Sequence, residues 1–422
     1  MSDAQRSYFD KVIFCFFALF IFSSTFSIAA AHLSLGIAAM LFAIWTAITR
    51  DIPFGPHLKW PCLFVALYFI WMALSALVGS TPLASLFILK EEWLFIAAVV
   101  GIGLFCVAEY RHRLVTALAT GVALVSAYGI IQRFTGIHWF KPVPPLAAPD
   151  FGFLVCGNFS NSLTFGNYFG TASAFLLGFA VGGWKHLSRS LRWLCLAASI
   201  LGIAATLLSY SRGAIIGLAV ALIVLGVLAG RRYVIASVVT VIVLALTTYF
   251  IIPGLADRFQ TVTSRDLGGV YEGSRVFIWK NSLKVIAEHP LFGVGQGNFK
   301  AAYTARLRPD IPDIRKHAHA HNDFLNIAAI SGIPGALFFA GIWASVITSL
   351  RKAQRIAHFG RQDSYLSLGA LLASVVFLVT SLSEATFADE EVRQLLMFVW
   401  AAGLWPLCRR RDETSTVAAQ SS

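Results

Sequence analysis

From Ala214 to Ile252 the only charged residues are Arg231 and Arg232, and apolar runs of this kind recur along the chain. A backbone in hydrocarbon must satisfy its own N–H and C=O groups, which a helix does within one segment. A membrane helix needs about 17–25 apolar residues. The runs lie near 12–31, 33–49, 61–79, 92–108, 114–132, 162–182, 193–209, 214–229, 233–252, 323–349, 365–382 and 393–408. The expected fold is therefore all-α, a polytopic integral membrane protein with about twelve transmembrane helices. The composition agrees: 57% of the 422 residues are hydrophobic and 13% charged, against about 25% charged in soluble domains. Only short breaks separate the first pair of spans and the 193–229 pair.

Lys and Arg in the loops set the orientation. With both termini cytoplasmic, the inner segments hold Arg6, Lys11, Arg50, Lys59, Arg111, Arg113, Lys185, Arg189, Arg192, Arg231, Arg232, Arg351, Lys352, Arg355, Arg361, Arg409, Arg410 and Arg411. The short outer loops hold Lys90, Arg133, Lys141, Arg212 and Arg393. The net charge of +12 is mostly this inner bias, which suits anionic membrane lipids and requires no nucleic acid. Ser27-Ile28-Ala29-Ala30-Ala31 has the look of a signal-peptidase site. The apolar stretch before it, however, exceeds the 7–15 residues typical of a signal peptide, so retention as the first span is expected.

Residues 1–422 read as a single transmembrane domain, with 412–422 as a disordered cytoplasmic tail. Two outer segments stand out. Residues 133–161 form the smaller loop, rigid where Pro142, Pro144, Pro145 and Pro149 fall and polar at Gly157-Asn158-Phe159-Ser160-Asn161. Residues 253–322 form the large loop, too long for a plain connector. Inside it, Ser274 to Ile286 has helical periodicity, with an apolar stripe at Val276, Trp279, Leu283 and Ile286. An amphipathic helix on the outer membrane surface is expected there. His289-Pro290 should end it, and Gly293, Gly295 and Gly297 should make a flexible turn. Six scattered cysteines lack a Cys-x-x-Cys pair, so neither a disulfide framework nor a zinc site is readable.

The cation most in need of a partner is Arg212, in Ser209-Tyr210-Ser211-Arg212-Gly213 between two hydrophobic spans. At bilayer depth it would cost about 2.5–3.5 kcal/mol. The assigned topology puts it in a tight outer turn, beside the free N–H groups of the helix that descends from Gly213. A guanidinium next to a helix N-terminus suits a diphosphate, with Ser211 as a further hydrogen-bonding group; the plainer alternative is a snorkelling interfacial arginine.

The run His317-Ala318-His319-Ala320-His321-Asn322-Asp323 opens a later span. His317 and His321 share a helical face at i, i+4, which raises a metal site, yet no third ligand motif accompanies them. Loop-surface histidines and a histidine acting as base or orienter are the other readings. His321 is the candidate base, because Asn322 and Asp323 can cap the helix that starts there; Asp323 or Glu272 is an alternative base. Arg275, in Glu272-Gly273-Ser274-Arg275, is either a surface charge or a phosphate contact, and Arg133 and Arg265 are further outer cations that could bind substrate. Asp389-Glu390-Glu391 opens the last span, as acidic residues at helix N-termini commonly do. No Asp-x-Asp motif, Walker loop or dinucleotide fingerprint is present, which argues against a soluble nucleotide donor.

In these residues the chain resembles the O-antigen ligase and polymerase family of bacterial envelope glycosyltransferases. The likeness runs from Ser209-Tyr210-Ser211-Arg212-Gly213 through Arg275-x-x-x-Trp279 and His289-Pro290-Leu291-Phe292-Gly293-Val294-Gly295 to His321-Asn322-Asp323-Phe324-Leu325, and closes on Gly332-Ile333-Pro334-Gly335. Within the family it looks most like the lipopolysaccharide O-antigen ligases. The resemblance implies transfer of a glycan from undecaprenyl diphosphate to the lipid A–core oligosaccharide, on the periplasmic face of the bacterial inner membrane. It implies that Arg212, Arg275 and His321 match the family's essential residues, with His317 and His319 outside the pattern. Diphosphate is a good leaving group, so two arginines suit the reaction without metal or cofactor, and direct attack assisted by His321 would invert the anomeric centre. The polymerase and the protein O-oligosaccharyltransferase are the related alternatives. A transporter of anionic lipids or sugars is the distant one, disfavoured because the polar candidates gather at the outer rim instead of mid-bilayer.

Overall fold

The computed structural model describes residues 3–50, 54–139, 144–252, 254, 274–307, 317–358 and 364–408. Arg265, Glu272 and the tail 412–422 lie outside the described residues, as does much of 253–322. Among the described residues there is no strand, and the extended pairing present is an isolated antiparallel bridge between Ala147 and Phe153. The helices are α1 (Asp3–Ser23), α2 (Ile28–Thr49), α3 (Lys59–Val78), α4 (Pro82–Leu89), α5 (Ile96–Phe105), α6 (Ala108–Thr135), α7 (Ser162–Gly182), α8 (Arg189–Leu208), α9 (Arg212–Ala229), α10 (Arg231–Ile251), α11 (Arg275–Glu288), α12 (Phe299–Thr304), α13 (Asp323–His358), α14 (Ser364–Ser381) and α15 (Glu390–Leu404). Among the described residues, seven helical stretches are long and apolar enough to cross a membrane: Ile28–Thr49, Pro56–Val78, Ala108–Thr135, Arg189–Leu208, Arg212–Ala229, Arg231–Ile251 and Asp323–Arg355. The other expected spans are helical too, though Tyr365–Ser381 is shorter and α5 and α15 have 10 and 15 residues.

The centre is built on α7, α14 and α15. Every residue of α15 from Glu391 to Leu404 is buried, whereas α10 buries none. Helices α7 and α14 come close because Gly178 meets Gly369: a Cβ on Gly178 would lie 2.8 Å from the Gly369 Cα. Small residues serve membrane helices in this way, where packing replaces the hydrophobic effect as the driving force.

Three expectations about local structure change. The break between the first two helices falls at 24–27 and not near residue 32. There Ser23, Ser24 and Thr25 donate their hydroxyls back to the carbonyls of Phe20, Ile21 and Phe22, and Ser27 caps α2 by accepting from the Ala30 N–H. Hydroxyls that compete with the helical ladder end it more effectively than the single His32, which lies inside α2. In α11 the buried residues are Ile278, Asn281, Ser282, Val285 and Ile286, and Leu283 is exposed, so the buried face is rotated from the apolar stripe. Asn281 and Ser282 can be buried because they bond within the helix, to the carbonyls of Phe277 and Ile278.

The third change concerns the glycines after α11. Gly293, Gly295 and Gly297 all have positive φ, yet the turn is locked and not flexible. α13 breaks at Gly332 (φ 74°, ψ 177°), and its freed carbonyls Ala329 and Ile330 accept the N–H groups of Val294 and Gly295 at 3.0 and 2.9 Å. Pro290 O in turn accepts from the Ile333 N–H at 2.8 Å. A Cβ on Gly332 would stand 2.0 Å from Leu291 O, so only glycine fits. Helix α3 closes the joint: Ser75 Oγ bonds Phe292 O and Ile330 O, and Trp71 Nε1 donates to Ser331 O. The His289–Gly295 and Gly332–Gly335 segments are thus two halves of one joint, which fixes α11 against the start of α13.

Candidate active site

That joint delivers Arg275 and His321 to one carboxylate, Glu384. Arg275 is the first residue of α11, whose N-cap Ser274 accepts from the Phe277 N–H at 3.2 Å. Its Nη2 bonds Glu384 Oε1. His321 Nδ1 lies 3.0 Å from Glu384 Oε2. Glu384 itself closes the C-terminal end of α14, where the N–H groups of Ser383 and Glu384 both bond Thr380 O at 3.0 Å. Asp323 holds the following residues, accepting from the Phe387 N–H and the Thr386 hydroxyl at 3.0 Å. Asp323 is 1% exposed and committed to that turn, an arrangement that favours an anchoring carboxylate over an alternative base.

His321 adopts φ 50°, a conformation that non-glycine residues seldom take. Its neighbours hold it there. Asn322 accepts from the Leu325 N–H with Oδ1, capping α13 as expected, and donates Nδ2 to Leu382 O, both at 3.0 Å. Trp279 Nε1 points to His321 O at 3.4 Å. Such strain, held by the surrounding contacts, is characteristic of functional sites.

Burial alone would raise the Glu384 pKa. The His321 hydrogen bond and the charge of Arg275 outweigh it, so the carboxyl titrates below its ordinary range and is ionised at neutral pH. An ionised carboxylate only accepts, so the His321 nitrogen that faces it, Nδ1, donates, and Nε2 points away from the pair. His317 Nδ1 lies 3.2 Å from that Nε2, and the His319 ring sits 4.3 Å from the His321 ring, centroid to centroid. Burial and the neighbouring His321 push His317 and His319 down to about 4, so both are neutral at neutral pH.

Arg212 opens α9, with Ser211 in the N-cap position. Ser211 is 1% exposed and donates its hydroxyl to Asn167 Oδ1 at 3.0 Å, fastening the turn to α7 instead of facing outward. Gly213 runs against the turn that carries Glu384: a Cβ there would lie 2.9 Å from Ser383 Oγ and 3.2 Å from Thr380 Cγ2. The start of α9, the start of α11 and the histidine turn therefore converge on the end of α14.

Arg133 is placed elsewhere. Its side chain is fully buried, with Nη2 on Asp150 Oδ1 at 2.5 Å and on Tyr210 OH at 3.0 Å, and Nη1 on Phe153 O at 3.0 Å. Tyr210 donates to the same Asp150 oxygen at 2.7 Å. This knot fixes Tyr210, itself at φ 60°, two residues before Arg212. Burial works against ionisation of Asp150, but hydrogen bonds from Tyr210, the Phe151 N–H and Arg133, with the charge of Arg133, take it down to about 2. The expected acidic opening of the last span is also engaged: Asp389 accepts from Thr164 Oγ1 at 3.0 Å.

Of the residues expected at the site, Arg275, His321 and Asn322 come together and Arg212 opens the adjoining helix. Ser211 and Arg133 support the turn from within. Glu384 was missed, and the available signal was a lone carboxylate just past the end of the 365–382 span, where a buried acid needs a cation.

No curated protein matches the chain. Residues 196–340 match the family model described as O-Antigen ligase, a stretch that holds Arg212, Arg275, the interlocking glycine segments and His321 but ends before Glu384. Over this stretch the chain is similar to the O-antigen ligase and polymerase family.

Proposed function

We propose that the protein is a lipopolysaccharide O-antigen ligase, moving a glycan from undecaprenyl diphosphate to the lipid A–core oligosaccharide at the periplasmic face of the inner membrane. Members of the family are glycosyltransferase-like enzymes of ligase or polymerase type that act on lipid-linked glycans. The observation that carries the reading here is the convergence of Arg275, Glu384 and His321 beside the helix that Arg212 opens. About twelve spans, with both termini cytoplasmic, would put this convergence on the outer side.

Negative charge grows on the diphosphate as its bond to the anomeric carbon breaks. Two guanidiniums and the N-terminus of α9 are suited to stabilise it, which makes metal unnecessary for departure. The acceptor hydroxyl loses a proton as it attacks, and His321, oriented by Glu384, which can balance the resulting imidazolium, receives it. Glu384 is engaged by both neighbours and is not presented as a nucleophile, which favours one direct displacement with inversion. Asn322 holds the histidine turn. Arg265 remains a candidate donor contact, and Arg133 acts from beneath by fixing Tyr210.

Reconstitution with undecaprenyl-diphosphate glycan tests the reading. Product on lipid A–core supports a ligase, elongation of the lipid-linked glycan alone a polymerase, and transfer to protein an oligosaccharyltransferase. No transfer to any acceptor would overturn it.

A further inference from the structure

His317 lies four residues before His321, with its Nδ1 3.2 Å from His321 Nε2. Because Glu384 requires the His321 proton on Nδ1, a neutral His321 accepts at Nε2 in this bond and His317 Nδ1 donates. His317 Nε2 is then an unprotonated lone pair, buried and without a hydrogen-bond partner among the described residues. An orphaned buried acceptor is costly, and a ligand hydroxyl would satisfy it. The lone pair that His321 needs to act directly is already occupied.

We infer that the acceptor hydroxyl gives its proton to His317 Nε2 while His317 passes its Nδ1 proton to His321 Nε2. The inference rests on the transferase reading. In the step, the acceptor O–H bond breaks and N–H forms at His317 Nε2. The freed oxygen pair bonds the anomeric carbon, and the electrons of the C–O bond leave on the diphosphate. At the same time N–H breaks at His317 Nδ1 and forms at His321 Nε2. His317 ends neutral in its other tautomer and His321 ends as an imidazolium against Glu384.

The surroundings favour that destination for the charge. His317 is faced by His321 and Arg275, both of which disfavour a cation on it, and by the edge of Tyr303 at 6.1 Å between centroids. His321 has a carboxylate directly on its Nδ1. His317 is held near neutrality and His321 is equipped to become charged, as a relay requires.

Nitrogen-15 histidine NMR on the intact wild-type protein reads the resting tautomer without reference to activity. Protonation of His317 on Nδ1 is expected, and protonation on Nε2 overturns the relay. Transfer is then measured at matched donor occupancy in His317→Asn and His317→Ala. Asparagine can replace the Nδ1–H donor but supplies no Nε2 base. Both variants should lose about 10²–10⁴-fold in rate with donor binding unchanged. Wild-type rate in His317→Asn would mean that His317 only props the ring. Wild-type or higher rate in His317→Ala would mean that it merely blocks His321. If the wild type transfers nothing, the function reading fails while the tautomer result still stands.

Discussion

Two arginine–carboxylate pairs in this protein use the same chemistry for opposite ends. Arg133–Asp150 is shut: its side chains are 0% and 8% exposed, and a tyrosine hydroxyl shares the carboxylate. Arg275–Glu384 is partly open, at 17% and 13%, and a titratable ring shares the carboxylate. Each pair holds a non-glycine residue in the left-handed region, Tyr210 in one case and His321 in the other. What separates a fastener from a site is the third partner and its access. A phenol bonded to Asp150 is pushed up to about 12 by burial and that acid, so it takes no part in proton transfer near neutrality. An imidazole in the same position can.

The largest expected effect follows from removing charge at the open pair. Glu384→Gln should cut transfer about 10²–10⁴-fold, because it leaves Arg275 unpaired and withdraws the anion that steadies a His321 imidazolium. The thermal midpoint should move little. A rate within a few-fold of wild type would show that Glu384 orients nothing of consequence.

At the shut pair the loss should instead be in stability. Asp150→Ala strands a buried guanidinium, which costs about 3–5 kcal/mol, read as a fall in the unfolding midpoint of the solubilised protein. Protein that remains folded should keep much of its transfer rate. Unchanged stability with abolished transfer would erase the distinction between the two pairs.

A smaller effect is expected at Arg212. Arg212→Lys should not restore Arg212→Ala, since an ammonium cannot make bidentate diphosphate contacts. Loss of a charge-assisted bond costs about 1.5–3 kcal/mol, roughly ten- to a hundredfold in rate. Full activity in both variants would make Arg212 a membrane anchor.

The smallest is a pH effect on the shut pair. Asp150 titrates at about 2 when folded, below its ordinary 3.8. Its contribution is therefore fully present above pH 3.8 and is lost as pH falls toward 2, by at most about 2 kcal/mol. Wild type should lose that stability and Asp150→Asn should not; identical acid profiles would contradict the pairing.

The all-helical fold was legible because apolar run length is a local signal, and Arg212, Arg275 and His321 could be singled out as candidates because stranded polar groups are local signals too. The helix break at Ser23–Ser27 was harder to read, since it rests on hydroxyls bonding backward and not on a charge. The face of α11 was misread because Asn281 and Ser282 hide their polarity in the helix's own carbonyls. Glu384 lies 63 residues beyond His321, and Asp150 lies 60 before Tyr210. Pairings at that separation leave no periodicity to read, so Arg133 looked like an exposed cation when it is a buried one.

The central claim is that the Glu384 cluster performs transfer and does not merely bind the donor. The direct measurement is single-turnover transfer by purified wild type and His321→Ala, each reconstituted with undecaprenyl-diphosphate glycan and lipid A–core at equal donor occupancy. Glycosylated lipid A–core should form in the wild type and fall by about 10²–10⁴-fold in His321→Ala, with donor affinity nearly unchanged. Equal transfer by the two proteins, or a variant that fails only because it no longer binds donor, would contradict the account.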